Sequence, residues 1–256
     1  MAFGQPKDSV ASQPILISMT TLAFIGDVHG RWARLGAILA LPEVQSADAV
    51  LQVGDFGFWP QTMPRLKPEH ISRPFFAIDG NHEHFPWLAQ NKDKLPHGIT
   101  FLERASTLEV GPLTIGLLGG AASIDKAMRK AGHDWFPEEE ISRAEFESIR
   151  PQMAGLDLMV SHDAPNGLRG GYWHDIEVRP HPASLKQRHM LTQLWESASP
   201  KLWVHGHHHH AHSQMLGRTL VIGLDHVHPS EGIAGGFSVV RLDADGLEVL
   251  AGVGSQ

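Results

Sequence analysis

The sequence predicts a mixed α/β fold in one large domain, and three features carry that prediction. Short apolar runs recur along the chain, each closed by a turn containing Gly or Asp, which is how buried strands read. Segments with apolar residues at helical spacing lie between several of these runs. Towards the C-terminus the strand signals crowd together with little helix between them. The 256 residues are 42% hydrophobic, enough to fill a sizeable core and to exclude disorder.

Taken in order, residues 1–19 are mixed polar and aperiodic, and read as a flexible tail or an extension ahead of an alternative start at Met19. A single domain is expected over 20–256. Its strands are expected at Leu22–Ile25, Ala49–Val53, Phe75–Ile78, Leu113–Leu118, Leu156–Val160, Leu202–Val204 and Leu220–Ile222. A helix is expected over 31–41, where Trp32, Leu35 and Leu39 share one face. The Pro-rich stretch 60–74 reads as a long loop. A second helix is expected over 137–150, because Pro137 suits the first position and Glu138 to Glu140 suit the first turn. Leu191, Leu194 and Trp195 mark a third. Strand signals at 220–223, 236–242 and 247–250 close the chain, and no internal repeat is present.

Composition narrows the chemistry. The chain has 18 His and no Cys, with 21 Lys+Arg against 28 Asp+Glu, a formal charge of −7. The absence of Cys excludes disulfides, thiolate zinc sites, iron–sulfur clusters and a Cys nucleophile. No run approaches the ~18 apolar residues of a membrane span, and residues 14–26 lack the basic flank and cleavage site of a secretory signal. A soluble, cytoplasmic protein with no membrane partner is expected. Net acidity argues against stable binding of long nucleic acid.

The chemistry-bearing residues sit directly after the apolar runs. Gly26-Asp27-Val28-His29-Gly30 closes the first, Gly54-Asp55 the second, and Asp79-Gly80-Asn81-His82-Glu83 the third. Later runs end in Ser161-His162-Asp163 and in His205-Gly206-His207-His208-His209. Five candidate strands thus deliver Asp, Asn or His at their carboxyl ends, where open α/β sheets bind ligands. Oxygen and imidazole nitrogen donors suit Mn, Fe, Zn or Co. The His-rich stretch 205–212 is no appended tag, because a strand precedes it and folded-looking sequence comes after it.

Asp-x-His at 27–29, Gly-Asp at 54–55, Gly-Asn-His-Glu at 80–83, the lone His162 and Gly-His-x-His at 206–209 together resemble the calcineurin-like metallophosphoesterases. All five motifs occur in family order. The resemblance implies a two-layer β sandwich flanked by helices, with a dinuclear metal site at the strand C-terminal ends. It implies that Asp27, His29, Asp55 and His209 hold one divalent ion. Asp55, Asn81, His162 and His207 would hold the second, with Asp55 bridging. Mn²⁺ is the expected metal; Fe, Zn and Co suit the same donors. One departure stands out: Asp55-Phe56-Gly57-Phe58-Trp59 lacks the Arg-Gly that protein Ser/Thr phosphatases carry after this Asp. Gly119-Gly120-Ala121-Ala122-Ser123-Ile124-Asp125 with Trp135-Phe136-Pro137-Glu138-Glu139 looks like a small bacterial and phage branch.

The expected activity is metal-dependent hydrolysis of phosphodiesters of small or nucleotide-like molecules, by a hydroxide bridging the two ions. A phosphomonoesterase is the runner-up, and a metal-stabilised scaffold without catalysis is the reading from another class. A DNA nuclease is disfavoured, since no basic face shows. His82 comes directly after a presumed ligand, so it is expected to protonate the leaving group or to bind the phosphate. Arg31 opens a helix and is read either as reaching a phosphate oxygen or as a solvated helix start. Asp163 and His205 are expected to orient neighbouring ligands, and His208 and His210 to face away. Asp125 is a pocket candidate by resemblance, and His226 and His228 are read as a surface turn in preference to pocket lining. Trp59, Trp87, Trp135 and Phe136 are expected in core or lid packing.

Overall fold

Strand β1 (Thr20–Ile25) shows how the layers arise. Side chains alternate across a strand, so Leu22 and Phe24 enter one apolar cluster while Ala23 and Ile25 enter another, all four fully buried. A strand apolar on both faces needs a layer on each side. The computed structural model, which describes residues 19–67, 71, 73–168, 182–227, 232–243 and 246–255, supplies both.

The remaining strands are β2 (Ala49–Gln52), β3 (Phe75–Ala77), β4 (Ile99–Phe101), β5 (Ser106–Val110), β6 (Leu113–Leu118) and β7 (Leu158–Ser161). They continue with β8 (Leu202–His205), β9 (His212–Leu216), β10 (Thr219–Gly223), β11 (Phe237–Leu242) and β12 (Leu247–Gly252). Two six-stranded sheets result, in the orders β12-β11-β1-β2-β3-β4 and β5-β6-β7-β8-β10-β9. The centre of each is parallel: β1 to β4 in the first, and β6, β7, β8 and β10 in the second. Antiparallel strands border the first sheet on its β11–β12 side and the second on both sides, at β5 and β9.

The sheets pack face to face. Leu22, Phe24 and Leu51 from the first meet Ile115, Leu117, Val160 and Val204 from the second in the central layer. Helices α1 (Trp32–Leu39) and α2 (Pro42–Gln45) cover the outer face of the first sheet, through Leu35, Ile38 and Val44. Helix α3 (Phe85–Asn91) adds Leu88 to the same layer. Helices α4 (Arg143–Ile149) and α5 (Pro182–Ala198) cover the second sheet, packing Phe146, Ile149, Leu191 and Leu194 on Met159 and Trp203. This is the two-layer sandwich with flanking helices that the motifs imply.

The expected helix over 137–150 is corrected. Pro137–Glu139 forms one 3₁₀ turn that ends at extended Glu140, and α4 begins after Ser142. The Ser142 hydroxyl accepts the Glu145 N–H at 3.1 Å while the Glu145 carboxylate accepts the Ser142 N–H at 3.4 Å. That reciprocal cap outweighs the proline and glutamates upstream. Three strands, β4, β5 and β9, carried no sequence signal, and all three are sheet edges. The expected tail falls outside the described residues up to 18. Among the described residues no helix is long and apolar enough to cross a membrane.

Phe24 is fully buried in the central layer. Phe24→Ala should therefore cost about 3–5 kcal/mol in urea unfolding, and a loss below about 1 kcal/mol would contradict this packing.

Candidate metal centre

Strands β1, β2 and β3 of one sheet and β7 and β8 of the other end at a common rim, and the turns after them carry the acids and imidazoles. These turns are tight. A Cβ on Gly80 would stand 2.0 Å from Asp55 Oδ1, and one on Gly206 would stand 2.2 Å from Asp27 Oδ1. His29, Asp55, His207 and His209 adopt left-handed backbone, with φ of 49°, 53°, 65° and 46°. Non-glycine residues reach that region at a cost, and such residues gather at functional sites.

Two constellations form, joined at Asp55 Oδ2. In the first, His29 Nε2 stands 3.7 Å from Asp55 Oδ2, 3.9 Å from Asp27 Oδ2 and 3.4 Å from His209 Nε2. His209 Nε2 lies 3.0 Å from Asp27 Oδ2. In the second, His162 Nε2 stands 3.5 Å from Asp55 Oδ2 and 3.0 Å from Asn81 Oδ1. His207 is delivered less directly. Its N–H donates to both Asp27 carboxylate oxygens at 3.2 Å, and its ring centre lies 5.1 Å from that of His162. Its ligand nitrogen groups with Asp163 and His208. Six of the seven expected ligands therefore converge through their donor atoms, and the His207 ring stands beside His162 in the cleft that Asp55 and Asn81 also line.

The donor set fits divalent metal. Asp55 Oδ1 accepts the His82 N–H at 2.7 Å, but buried Oδ2 has no hydrogen-bond partner among the described residues. A buried carboxylate oxygen left so costs free energy that a cation recovers. His162 Nδ1 lies 2.9 Å from the Val53 carbonyl, which can only accept. Nδ1 therefore carries a proton, and Nε2 is the nitrogen available to a metal.

Electrostatics point the same way. Burial would raise Asp27, yet His162 and His209 outweigh it and hold the carboxyl at about 2. Burial would lower His162, yet Asp55 and Asp27 lift it to about 10. Burial lowers His29 to about 4 and His207 to about 3, so both are neutral near pH 7 with a lone pair to offer. Two ionised acids have thus recruited a proton onto His162, in the place a metal would serve.

The sequence model of the calcineurin-like phosphoesterases matches residues 20–211, a span that contains every one of these residues. The chain belongs to the calcineurin-like phosphoesterase family.

No curated protein matches the sequence. Among solved structures, a dimetal phosphatase from Danio rerio is 14% identical with a TM-score of 0.62, over 91% of this chain and 96% of that one. The anchor of the inner membrane complex of Plasmodium is 13% identical with a TM-score of 0.61, over 91% and 84%. Phosphopantetheinyl hydrolase from Mycobacterium tuberculosis is 15% identical with a TM-score of 0.51, over 81% and 90%. These likenesses share the fold of this phosphoesterase.

Around the centre the remaining candidates find their places. His82 lies partly exposed beside it, its ring centre 5.6 Å from that of His29. Arg31 Nη1 is buried without a hydrogen-bond partner among the described residues, and its charge acts on His226. His226 is no plain surface turn: its ring lies 4.3 Å from that of His209, and Asp225 Oδ1 holds its Nδ1 at 2.7 Å. His228 lies outside the described residues. His208 does not face away. It is buried against His207 and bonds Asp163 Oδ1 at 2.8 Å, so Asp163 orients His208. His205 is fully buried, its ring centre 5.9 Å from that of His208.

Two anchors carried no expectation. Glu83, the last residue of the Gly-Asn-His-Glu motif, is fully buried and accepts the N–H groups of Phe56 at 2.7 Å and Phe58 at 2.6 Å. It shapes the loop where Phe-Gly-Phe-Trp replaces the Arg-Gly signature. Burial, then the Asp55 charge, raise its carboxyl to about 8. Asp79 holds Arg104 through Nε and Nη2 at 2.9 and 2.7 Å. Its signal was present in the sequence, one residue before Gly80.

With His162 protonated below about 10, a metal bonding Nε2 must displace that proton. Affinity should rise with pH, by about tenfold per unit for one proton. Calorimetric Mn²⁺ titration at pH 7 in buffers of differing ionisation enthalpy should show proton release, and none would contradict this electrostatic picture.

Proposed function

We propose that this phosphoesterase hydrolyses phosphodiesters of small or nucleotide-like molecules. In this reading Asp27, His29, Asp55 and His209 hold one divalent ion, and Asp55, Asn81, His162 and His207 hold the other. Mn²⁺ is the proposed metal, in keeping with a donor set of oxygen and nitrogen alone.

One observation carries the choice of diester: two clefts meet at His82. A cleft of about 240 Å³ is lined by Asp55, Asn81, His82, Asp125, His207 and His209. The second, of about 420 Å³, is lined by His29, Trp59, Gln61, His82, His133 and Asp134. A phosphate placed on the donor cluster has room for an ester group on either side, which a monoester leaves unused. Among the described residues the larger cleft has no Lys or Arg in its lining, so it suits an organic group better than a second phosphate.

When bound, the two metals would supply an activated water and neutralise the phosphate oxygens. The chain's own residues prepare the rest. His82 has both backbone groups pinned: its N–H donates to Asp55 Oδ1 at 2.7 Å, and its carbonyl accepts the Trp59 indole N–H at 2.6 Å. The imidazole is left facing both clefts, placed to protonate a leaving oxygen. Arg31 brings a guanidinium nitrogen that has no partner among the described residues to the His209–His226 side, where it would take a phosphate oxygen. Asp163 and His208 brace the turn that carries His207 and His209.

The deciding assay is hydrolysis of an aryl phosphodiester and the matching aryl phosphomonoester with Mn²⁺. Faster diester turnover is expected; turnover of the monoester alone overturns this reading, and no turnover with metal loaded favours the scaffold. His82→Ala should lower kcat by about 10²–10⁴ and keep both metals. Loss of metal would make His82 a ligand instead.

A further inference from the structure

The segment from Gly119 to Glu139 supplies no proposed metal ligand, yet it builds a buried polar network against one. Asn81 Nδ2 donates to Ser123 Oγ at 2.9 Å, and Arg129 Nη1 donates to the same oxygen at 2.7 Å. The Ser123 hydroxyl in turn donates to Glu139 Oε2. Arg129 clamps that carboxylate from both nitrogens, Nη1 to Oε2 at 3.0 Å and Nη2 to Oε1 at 2.7 Å. The Phe136 N–H fills a further site on Oε1 at 3.1 Å. Arg129 Nη2 also reaches the Asn81 carbonyl at 3.3 Å. Ser123 and the Glu139 side chain are buried, and the Arg129 side chain is 8% exposed.

Hydrogen-bond direction makes this more than packing. A serine hydroxyl has one proton and two lone pairs. The Ser123 proton is committed to the Glu139 carboxylate, so toward Asn81 the oxygen can only accept. That forces the amide nitrogen of Asn81 to face Ser123, and the amide oxygen to face His162 Nε2 at 3.0 Å. A flipped amide would leave its oxygen facing a hydroxyl with no proton to give on one side, and turn an NH₂ group toward the metal on the other. Without Glu139 and Arg129 the hydroxyl would be free to turn, donate to Asn81 Oδ1 and stabilise that flip.

We propose that Ser123, Arg129 and Glu139 form a positioning relay that fixes the Asn81 amide with its oxygen toward the second metal. The relay rests on the reading of Asn81 as a ligand. None of the three touches substrate or metal; they act through Asn81. It gives the Gly119–Asp125 and Trp135–Glu139 motifs a joint purpose, because they place a hydroxyl and a carboxylate on either side of one hydrogen bond.

The test is Mn²⁺ titration of the full chain, read by electron paramagnetic resonance and metal analysis, beside thermal unfolding. Ser123→Ala should weaken one of two Mn²⁺ sites by about 10–100-fold and leave the other, and the unfolding temperature, near wild type. Ser123→Thr, which restores the acceptor, should restore the affinity. Asn81→Ala should weaken the same site. If Asn81→Ala weakens that site and Ser123→Ala does not, the relay is overturned and the ligand reading stands. If Asn81→Ala keeps both sites, the ligand reading falls and the relay with it. Equal weakening of both sites in Ser123→Ala would mean a general structural role and overturn the relay. Should Ser123→Ala not fold, Arg129→Lys must give the same one-site loss, and two intact sites there overturn the proposal.

Discussion

A single buried oxygen organises this protein. Asp55 Oδ2 is sealed from solvent and has no hydrogen-bond partner among the described residues, and imidazoles from both sheets stand around it at 3.5 and 3.7 Å. Those distances are too long for good hydrogen bonds and leave space for cations between the donors. The rest of the site is arranged to keep Oδ2 so placed. The backbone of Asp55 is held left-handed, the His82 N–H occupies Oδ1, and Glu83 gathers the amides of the following loop. Gly80 is glycine because any side chain would displace Asp55 itself.

The two-sheet architecture makes such a site possible. Each parallel centre brings several carboxyl strand ends to one rim, and the apolar layer between the sheets fixes their relative position. Candidate ligands separated by up to 182 positions along the chain, Asp27 and His209, thereby meet at 3.0 Å. The same low-polarity surroundings set the protonation pattern. Burial keeps His29 and His207 neutral, while the two acids place a proton on His162. The net charge of −7 therefore says little about affinity for anions, since in the proposed centre the nearest acids would hold cations.

Much of this was legible in the sequence, and the parts that were not have physical causes. Central strands such as β1 and β7 announce themselves because both faces are buried, so nearly every residue is apolar. Edge strands β5 and β9 alternate with solvent and read as loop, and β9 is further hidden behind the His-rich tract. The candidate ligand positions were legible because each lies in the turn after a strand end. His226 and Glu83 were not, because their roles depend on the His209 ring of another loop and on amides 25–27 positions away. His208 was misplaced by assuming alternation where the chain turns, not where it extends. Pro137 misled in the same way, because a local helix signal lost to a better cap at Ser142.

Proteins of this fold include one described as a dimetal phosphatase and one described as an anchor, so the fold by itself does not decide between catalysis and scaffolding. Membership of the phosphoesterase family, carried by the match over residues 20–211, is what points to catalysis. The most direct test is anomalous diffraction at the Mn edge from crystals grown with Mn²⁺. Two peaks about 3.5–4 Å apart, both bonded to Asp55 Oδ2, are the predicted result. No peak there, or a single peak that Asp55 does not touch, would contradict the account.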